Sequence, residues 1–169
     1  IVDAEGFSAR DVVAVTCTVP PVVTSNLTYP NPQTATEAQF SLHFAIAAII
    51  EYGDIKLEHL TTEMVLSAPI KRLLPKIDVK VGDIPEPHRS SRLICPEWGY
   101  VELTTQAGDR KCSFAGSPLG SALRPMSDEV LKKKFNACAK YGNAKGSASA
   151  LYDKILNVEL LTNTRELFS

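Results

Sequence analysis

The chain has 169 residues, close to one domain at the usual size of roughly 150 residues. Hydrophobic residues make up 44% and charged residues 22% of the chain, which excludes a disordered protein because the apolar side chains suffice for a core. A net charge of -1 argues against a nucleic-acid partner bound through bulk neutralisation of phosphates.

The first elements are a strand and a long helix. Val12–Val19 is rich in β-branched residues and predicts a strand. After a proline-rich loop, Thr36 and Gln39 have the spacing of a capping box, which predicts a helix over residues 37–52. Gly53 suits a left-handed C-cap. Apolar side chains surround most of this helix, so we expect it to be buried on nearly all sides at the centre of the domain.

The rest of the chain alternates between short helices and strands. Apolar spacing predicts a helix over 55–64, and Ser67 can cap a short helix that ends before Pro75. Predicted strands follow at 77–81, 100–105 and 110–114, with a possible strand at 92–95 inside a long loop. The last two helices are predicted from Ser127 to Gly142, with a buried face of Leu131, Phe135 and Cys138, and over 148–161.

The order of these elements defines the fold class. The runs at 100–105 and 110–114 flank a turn that contains Gly108, which is typical of a β-hairpin. With helices grouped at both ends, the sequence predicts an α+β fold over residues 1–169. It is expected to be a single domain with a small antiparallel β-sheet covered on one face by helices.

The cysteines and the apolar runs indicate the cellular compartment and whether the chain could span a membrane. Cys17, Cys95, Cys112 and Cys138 lack C-x-x-C spacing, so we interpret them as isolated thiols in a reducing cytosol and expect no metal. The longest apolar run, residues 44–50, is far shorter than the roughly 20 residues that span a bilayer. Without a signal peptide, a cytoplasmic protein with no membrane partner is expected.

Two polar residues stand out in the predicted central helix. Ser41 and His43 interrupt an apolar run, and polar groups on a buried helix need partners in the core or in a cavity. Either Ser41 bonds to its own helix and His43 lies at a packed boundary, or both belong to a functional site. Trp98 and Tyr100 likewise fit a stacking platform or packing at the edge of the core.

Two blocks of the sequence resemble the MmgE/PrpD family, which includes 2-methylcitrate dehydratase, cis-aconitate decarboxylase and iminodisuccinate epimerase. Residues 32–47, PQTATEAQFSLHFAIA, resemble the family block P-x-T-x-x-E-A-K-F-S-L-x-Y-x-x-A. Residues 116–118 with 124–129 and 134–135 are similar to K-G-x-P-x-N-P-x-S-D-E-E-L-x-x-K-F. The resemblance covers essentially the whole chain, but only the second half of a family member.

The resemblance implies an α+β lid domain that caps the active site of a larger enzyme. Family members join this lid to an all-helical N-terminal domain, which is absent here and which holds most of the acid/base Lys, His and Asp residues. The implied chemistry is proton abstraction next to a carboxylate, followed by loss of water or carbon dioxide or by reprotonation. The implied substrate is a small di- or tricarboxylate, no cofactor is needed, and the isolated chain is expected to be inactive.

The same resemblance supplies candidate site residues. Gln39, Ser41, His43 and Phe44 are the substrate-pocket candidates, while no catalytic residue can be named. Phe44 stands at the position of the family's Tyr, and Gln39 replaces its Lys or Arg. These departures also support an alternative, a non-catalytic α+β binding or oligomerisation module derived from the family. Family members commonly dimerise, and an isolated lid would expose apolar surface, so a homodimer or self-association is expected.

Overall fold

The computed structural model describes residues 1, 8–90, 94–143 and 146–168 of the chain. The chain forms two compact units, Ile1–Arg124 and Pro125–Ser169. The expectation of one domain over residues 1–169 stays a prediction.

The first unit contains a four-stranded sheet and several short helices. Its strands are β1 (Val12–Val19), β2 (Ile77–Val81), β3 (Gly99–Thr105) and β4 (Arg110–Ala115). Its helices are α1 (Pro21–Asn26), α2 (Ala35–Gln39), α3 (Leu42–Tyr52), α4 (Thr62–Val65) and α5 (Ala68–Leu73). Short 3₁₀ turns lie at Leu57–His59, Leu74–Lys76 and Glu86–His88. The α+β class predicted from the sequence is confirmed.

The sheet has the strand order β2-β1-β3-β4 and is mixed. β1 pairs antiparallel with β3, and β3 and β4 form the predicted hairpin. β1 and β2 are parallel, with Val15 opposite Ile77. The predicted antiparallel sheet is therefore corrected at this one pair, while the other two pairs are antiparallel as predicted. The helical segment between β1 and β2 is long enough for the crossover that a parallel pair requires.

The core of the first unit lies between one face of the sheet and the helices. Val15, Ile77 and Leu103 share a face because they lie opposite one another in the register, and all three are buried. Phe44 of α3 and Ile70 of α5 pack into the same apolar cluster. This arrangement agrees with the predicted helical cover on one face of the sheet.

The predicted helix over residues 37–52 is two helices with a break between them. α2 ends at a Phe40 whose ψ of 31° departs from the helix, and α3 begins anew after Ser41. In one continuous helix Phe40 and Phe44 would share a face, but Phe40 is 49% exposed and Phe44 is buried. Gly53 has a φ of 77° and caps α3 as predicted.

Two further predictions are corrected in the first unit. The helix expected over 55–64 is a 3₁₀ turn and the separate helix α4, because Thr61 accepts a hydrogen bond from the backbone N–H of Met64 and starts a new helix there. Ser67 precedes α5 but forms no capping hydrogen bond with its side chain. The possible strand at 92–95 includes Arg92 and Leu93, which lie outside the described residues.

The second unit is a helical hairpin. Its helices are α6 (Asp128–Tyr141), capped by Ser127 as predicted, and α7 (Ala148–Leu156), which is followed by a 3₁₀ turn instead of continuing to residue 161. The edge of Phe135 contacts the buried Tyr152 at 5.3 Å between ring centroids. The buried face predicted for α6 is only partly formed, because Leu131 and Cys138 are exposed.

Membrane-spanning segments were also sought in the structure. Within residues 1, 8–90, 94–143 and 146–168, no helix has the length and apolar character needed to cross a membrane.

Candidate functional site

The segment from Thr34 to Phe44 carries two helix caps in series. The Thr34 hydroxyl accepts a hydrogen bond from the N–H of Glu37, and the Ser41 hydroxyl accepts one from the N–H of Phe44 at 3.0 Å. Ser, Thr, Asn and Asp favour such positions because their side chains satisfy N–H groups that the first helical turn leaves free. Ser41 therefore marks the start of α3. It does not interrupt a longer helix.

Backbone hydrogen bonds hold the break between α2 and α3 in place. The N–H of Tyr29 donates to the carbonyl of Phe40 at 3.3 Å, and the N–H of Ser41 donates to the carbonyl of Ala38 at 3.2 Å. The N–H of Gln33 donates to the Glu37 carboxylate at 2.6 Å. The break is thus a defined turn that fixes where α3 begins.

The four predicted site residues do not converge on one point of the first unit. Gln39 is exposed at the end of α2, whereas Ser41 is only 2% exposed because its hydroxyl is turned into the cap. Phe44 is fully buried in the core. His43 is half-buried and points away from Phe44, because successive helical residues are rotated by about 100°. Their assignment to a substrate pocket stays a prediction.

His43 is the one titratable member of this set. Burial lowers the pKa of its imidazole, and the carboxylate of Asp78 partly opposes that shift. The ring is therefore neutral at pH 7, where it carries one N–H donor and one acceptor nitrogen. In that form it can accept or donate a hydrogen bond to a substrate, but it supplies no fixed positive charge.

The shifted imidazole predicts a pH dependence of stability. The pKa of His43 in the folded chain lies below its ordinary value of 6.5, so the unfolded chain takes up a proton first as the pH falls. Stability should therefore decrease on acidification from about pH 7 to about pH 5. Urea unfolding of the wild type and of His43→Gln across this range checks it: the variant should lose less stability. Parallel curves for the two proteins would show that His43 is not the group responsible.

An open groove of about 520 Å³ lies beside this segment, on the helix-covered face of the sheet. Leu42 and Ile46 of α3 form one side, one helical turn apart. Cys17 of β1 and Val101 of β3 contribute to the sheet side. The expectation that α3 is buried on nearly all sides is wrong here, because Leu42 and Ile46 are half-exposed and Ile49 is exposed.

Side chains from two loops, one before β3 and one after β4, also line the groove. Trp98 is 6% exposed, which favours packing at the edge of the core over an open stacking platform. The buried Ser117 and the exposed Arg124 also line the groove, together with the exposed Glu97. Among the described residues, those of the groove included, no group of three or more His, Cys, Asp or Glu side chains is placed to hold a metal ion. The four cysteines are free thiols.

Sequence reasoning missed the groove for identifiable reasons. The spacing of four between Leu42 and Ile46 places both side chains on one face of the helix. The same spacing is equally typical of residues buried in a core, so it does not indicate a groove. Trp98 is distant in sequence from Ser117 and Arg124, and the β3–β4 hairpin brings its loop close to theirs. The N–H of Cys95 donates to the carbonyl of Gly116 at 2.8 Å and joins the two loops.

The fold and the cap motif together define an α+β domain with an apolar groove. Residues 1–157 match the family described as the MmgE/PrpD C-terminal domain. The chain therefore belongs to the MmgE/PrpD family, as the resemblance of its two sequence blocks predicted. No curated protein matches the chain.

Proposed function

We propose that this chain is the substrate-capping domain of an MmgE/PrpD-like lyase or isomerase that acts on a small di- or tricarboxylate. The match of residues 1–157 to the family's C-terminal domain is the observation that carries the proposal. The acid/base groups would come from a helical domain outside the chain. The capping domain would exclude water, which strengthens electrostatic contacts to the carboxylates, and would shape the pocket.

The position of Phe44 limits what this domain contributes. A phenyl ring can neither donate a proton nor form a strong hydrogen bond, and here it is fully buried in the core. Among the four candidate residues, the neutral imidazole of His43 and the amide of the exposed Gln39 have polar atoms that can form hydrogen bonds with a ligand. We therefore assign the domain a role in positioning and enclosure, with the proton transfers made elsewhere. This role includes a homodimer or self-association as the working oligomeric state.

Turnover measurements test the proposal. The purified 169-residue chain should show no turnover of 2-methylcitrate or cis-aconitate, because it lacks the acid/base set. The same chain, joined behind a helical domain of the family, should act on at least one small di- or tricarboxylate. Circular dichroism should first show that both proteins are folded. Turnover by the chain alone would contradict the division of roles.

A second function is favoured by the same two departures from the family pattern. Phe44 removes the family's hydroxyl, and Gln39 removes its positive charge, so the chain also fits a non-catalytic binding or oligomerisation module. In that case the folded, joined protein would remain inactive on every carboxylate tested. Light scattering would then show whether the isolated chain forms a defined oligomer.

A further inference from the structure

The groove of the first unit, defined above by Leu42, Ile46, Cys17, Val101, Trp98 and Arg124, has the properties of a small-molecule site. Its volume of about 520 Å³ lies within the roughly 300–1,000 Å³ typical of ligand pockets. Aliphatic side chains of α3 face the apolar residues of β1 and β3 across it. Burying an apolar ligand surface against these walls is favourable because it removes that surface from water.

Two charged side chains line the groove and determine which apolar ligands it favours. Arg124 is the positively charged lining residue, and Glu97 is the negatively charged one. Within the described part of the chain, neither side chain forms an ion pair, so the guanidinium is available to an anionic ligand. A planar guanidinium binds a carboxylate through two parallel hydrogen bonds.

The backbone places Arg124 at a fixed position in its loop. The N–H of Gly120 donates to the carbonyl of Arg124 at 2.7 Å, and the N–H of Arg124 donates to the carbonyl of Ser121 at 3.0 Å. The buried Ser117 lines the groove from the same loop. The loop thus contributes a cation and a hydroxyl-bearing residue to the groove, whose walls on α3, β1 and β3 are mostly apolar.

We propose that this groove binds a small monocarboxylate with an apolar body, the carboxylate on Arg124 and the apolar part between α3 and the sheet. The carboxylate of Glu97 repels a second negative charge in the same groove, which disfavours di- and tricarboxylates. The ligand class therefore differs from the substrate class of the proposed function. All the residues of this groove belong to the first unit, so binding to it can be measured without the helical domain that the proposed function requires.

Trp98 provides a direct measurement, because it is the only tryptophan of the 169-residue chain and it lines the groove. Octanoate, kept below its critical micelle concentration, should change the Trp98 fluorescence saturably in the full chain. Arg124→Gln should weaken octanoate binding about fivefold or more, because it removes a charge-assisted hydrogen bond. 1-Octanol should bind the wild type and this variant equally, and citrate should not bind in the groove.

Two further variants separate the groove from the rest of the surface. Arg110→Gln is the matched control, because Arg110 pairs with Glu102 at 2.9 Å and does not line the groove; its octanoate affinity should equal that of the wild type. Ala115→Leu adds bulk to the lining without changing charge and should abolish binding.

Several results would overturn the assignment. They are the absence of a saturable response, equal octanoate affinity in Arg124→Gln, binding that survives Ala115→Leu, or citrate binding as tight as that of octanoate. None of these measurements depends on turnover, so an inactive enzyme leaves the outcome unchanged.

Discussion

Replacing Phe44 with alanine should lower the free energy of unfolding of the first unit by about 3–5 kcal/mol. The ring is 0% exposed and belongs to the cluster that joins α3 to the sheet and to α5. Its removal loses the transfer free energy of the ring and leaves a cavity that the neighbouring side chains fill only in part. Because the free energy of unfolding of a small domain is only about 5–15 kcal/mol, the substitution would remove a large part of it. Urea unfolding followed by circular dichroism measures the change.

Phe40 offers a matched control four residues earlier. Its ring is 49% exposed at the break between α2 and α3, so Phe40→Ala should lower the free energy of unfolding by less than about 1 kcal/mol. A one-helix arrangement would place both rings on the same face and predict similar losses. Equal destabilisation by the two substitutions would therefore contradict the break.

Phe44→Tyr tests the same position in a way that bears on the family pattern. A hydroxyl added to a fully buried ring has to lose its water, which is unfavourable by about 1–3 kcal/mol when no partner is present. A variant as stable as the wild type would show that the hydroxyl reaches solvent or a polar group. The family's Tyr could then be accommodated here without moving the helix.

The strands and the fold class could be predicted because their signals are local. β1 is a run rich in β-branched residues. The β3–β4 hairpin is indicated by two runs of alternating apolar and polar residues on either side of a turn that contains glycine. The parallel pairing of β1 with β2 had no such signal, because it depends on which way the chain returns after the helices. Local propensity predicts where the helices and strands form. Whether β1 and β2 pair parallel or antiparallel depends on the long helical connection between them.

The break before α3 shows why the candidate site was harder to predict. Thr36 and Gln39 fit a capping box, yet Thr34 and Ser41 are the residues whose hydroxyls accept the capping hydrogen bonds. Several hydroxyl residues in ten positions offer alternative starts, and the turn tied to Tyr29 selects among them. The groove depends on where α3 begins, because Leu42 and Ile46 of this helix form one of its sides. In one continuous helix these two side chains would have different neighbours.

Ser41→Ala should lower the free energy of unfolding by about 2 kcal/mol, the largest effect expected from any helix cap that the structure describes. The Ser41 hydroxyl accepts from the N–H of Phe44 at 3.0 Å, and the side chain is buried. Without it, that N–H loses its partner at a place where water cannot easily replace it.

Thr34→Ala is the matched control for this cap. Thr34 performs the same task for α2 in the same unit, but its hydrogen bond of 3.2 Å to the N–H of Glu37 is exposed, so water can substitute. Its loss should be about 1 kcal/mol or less. Amide exchange adds a local readout, because Ser41→Ala should deprotect the N–H of Phe44 beyond the global change. If both variants lost the same free energy and the Phe44 amide stayed protected, Ser41 would not be the residue that starts α3.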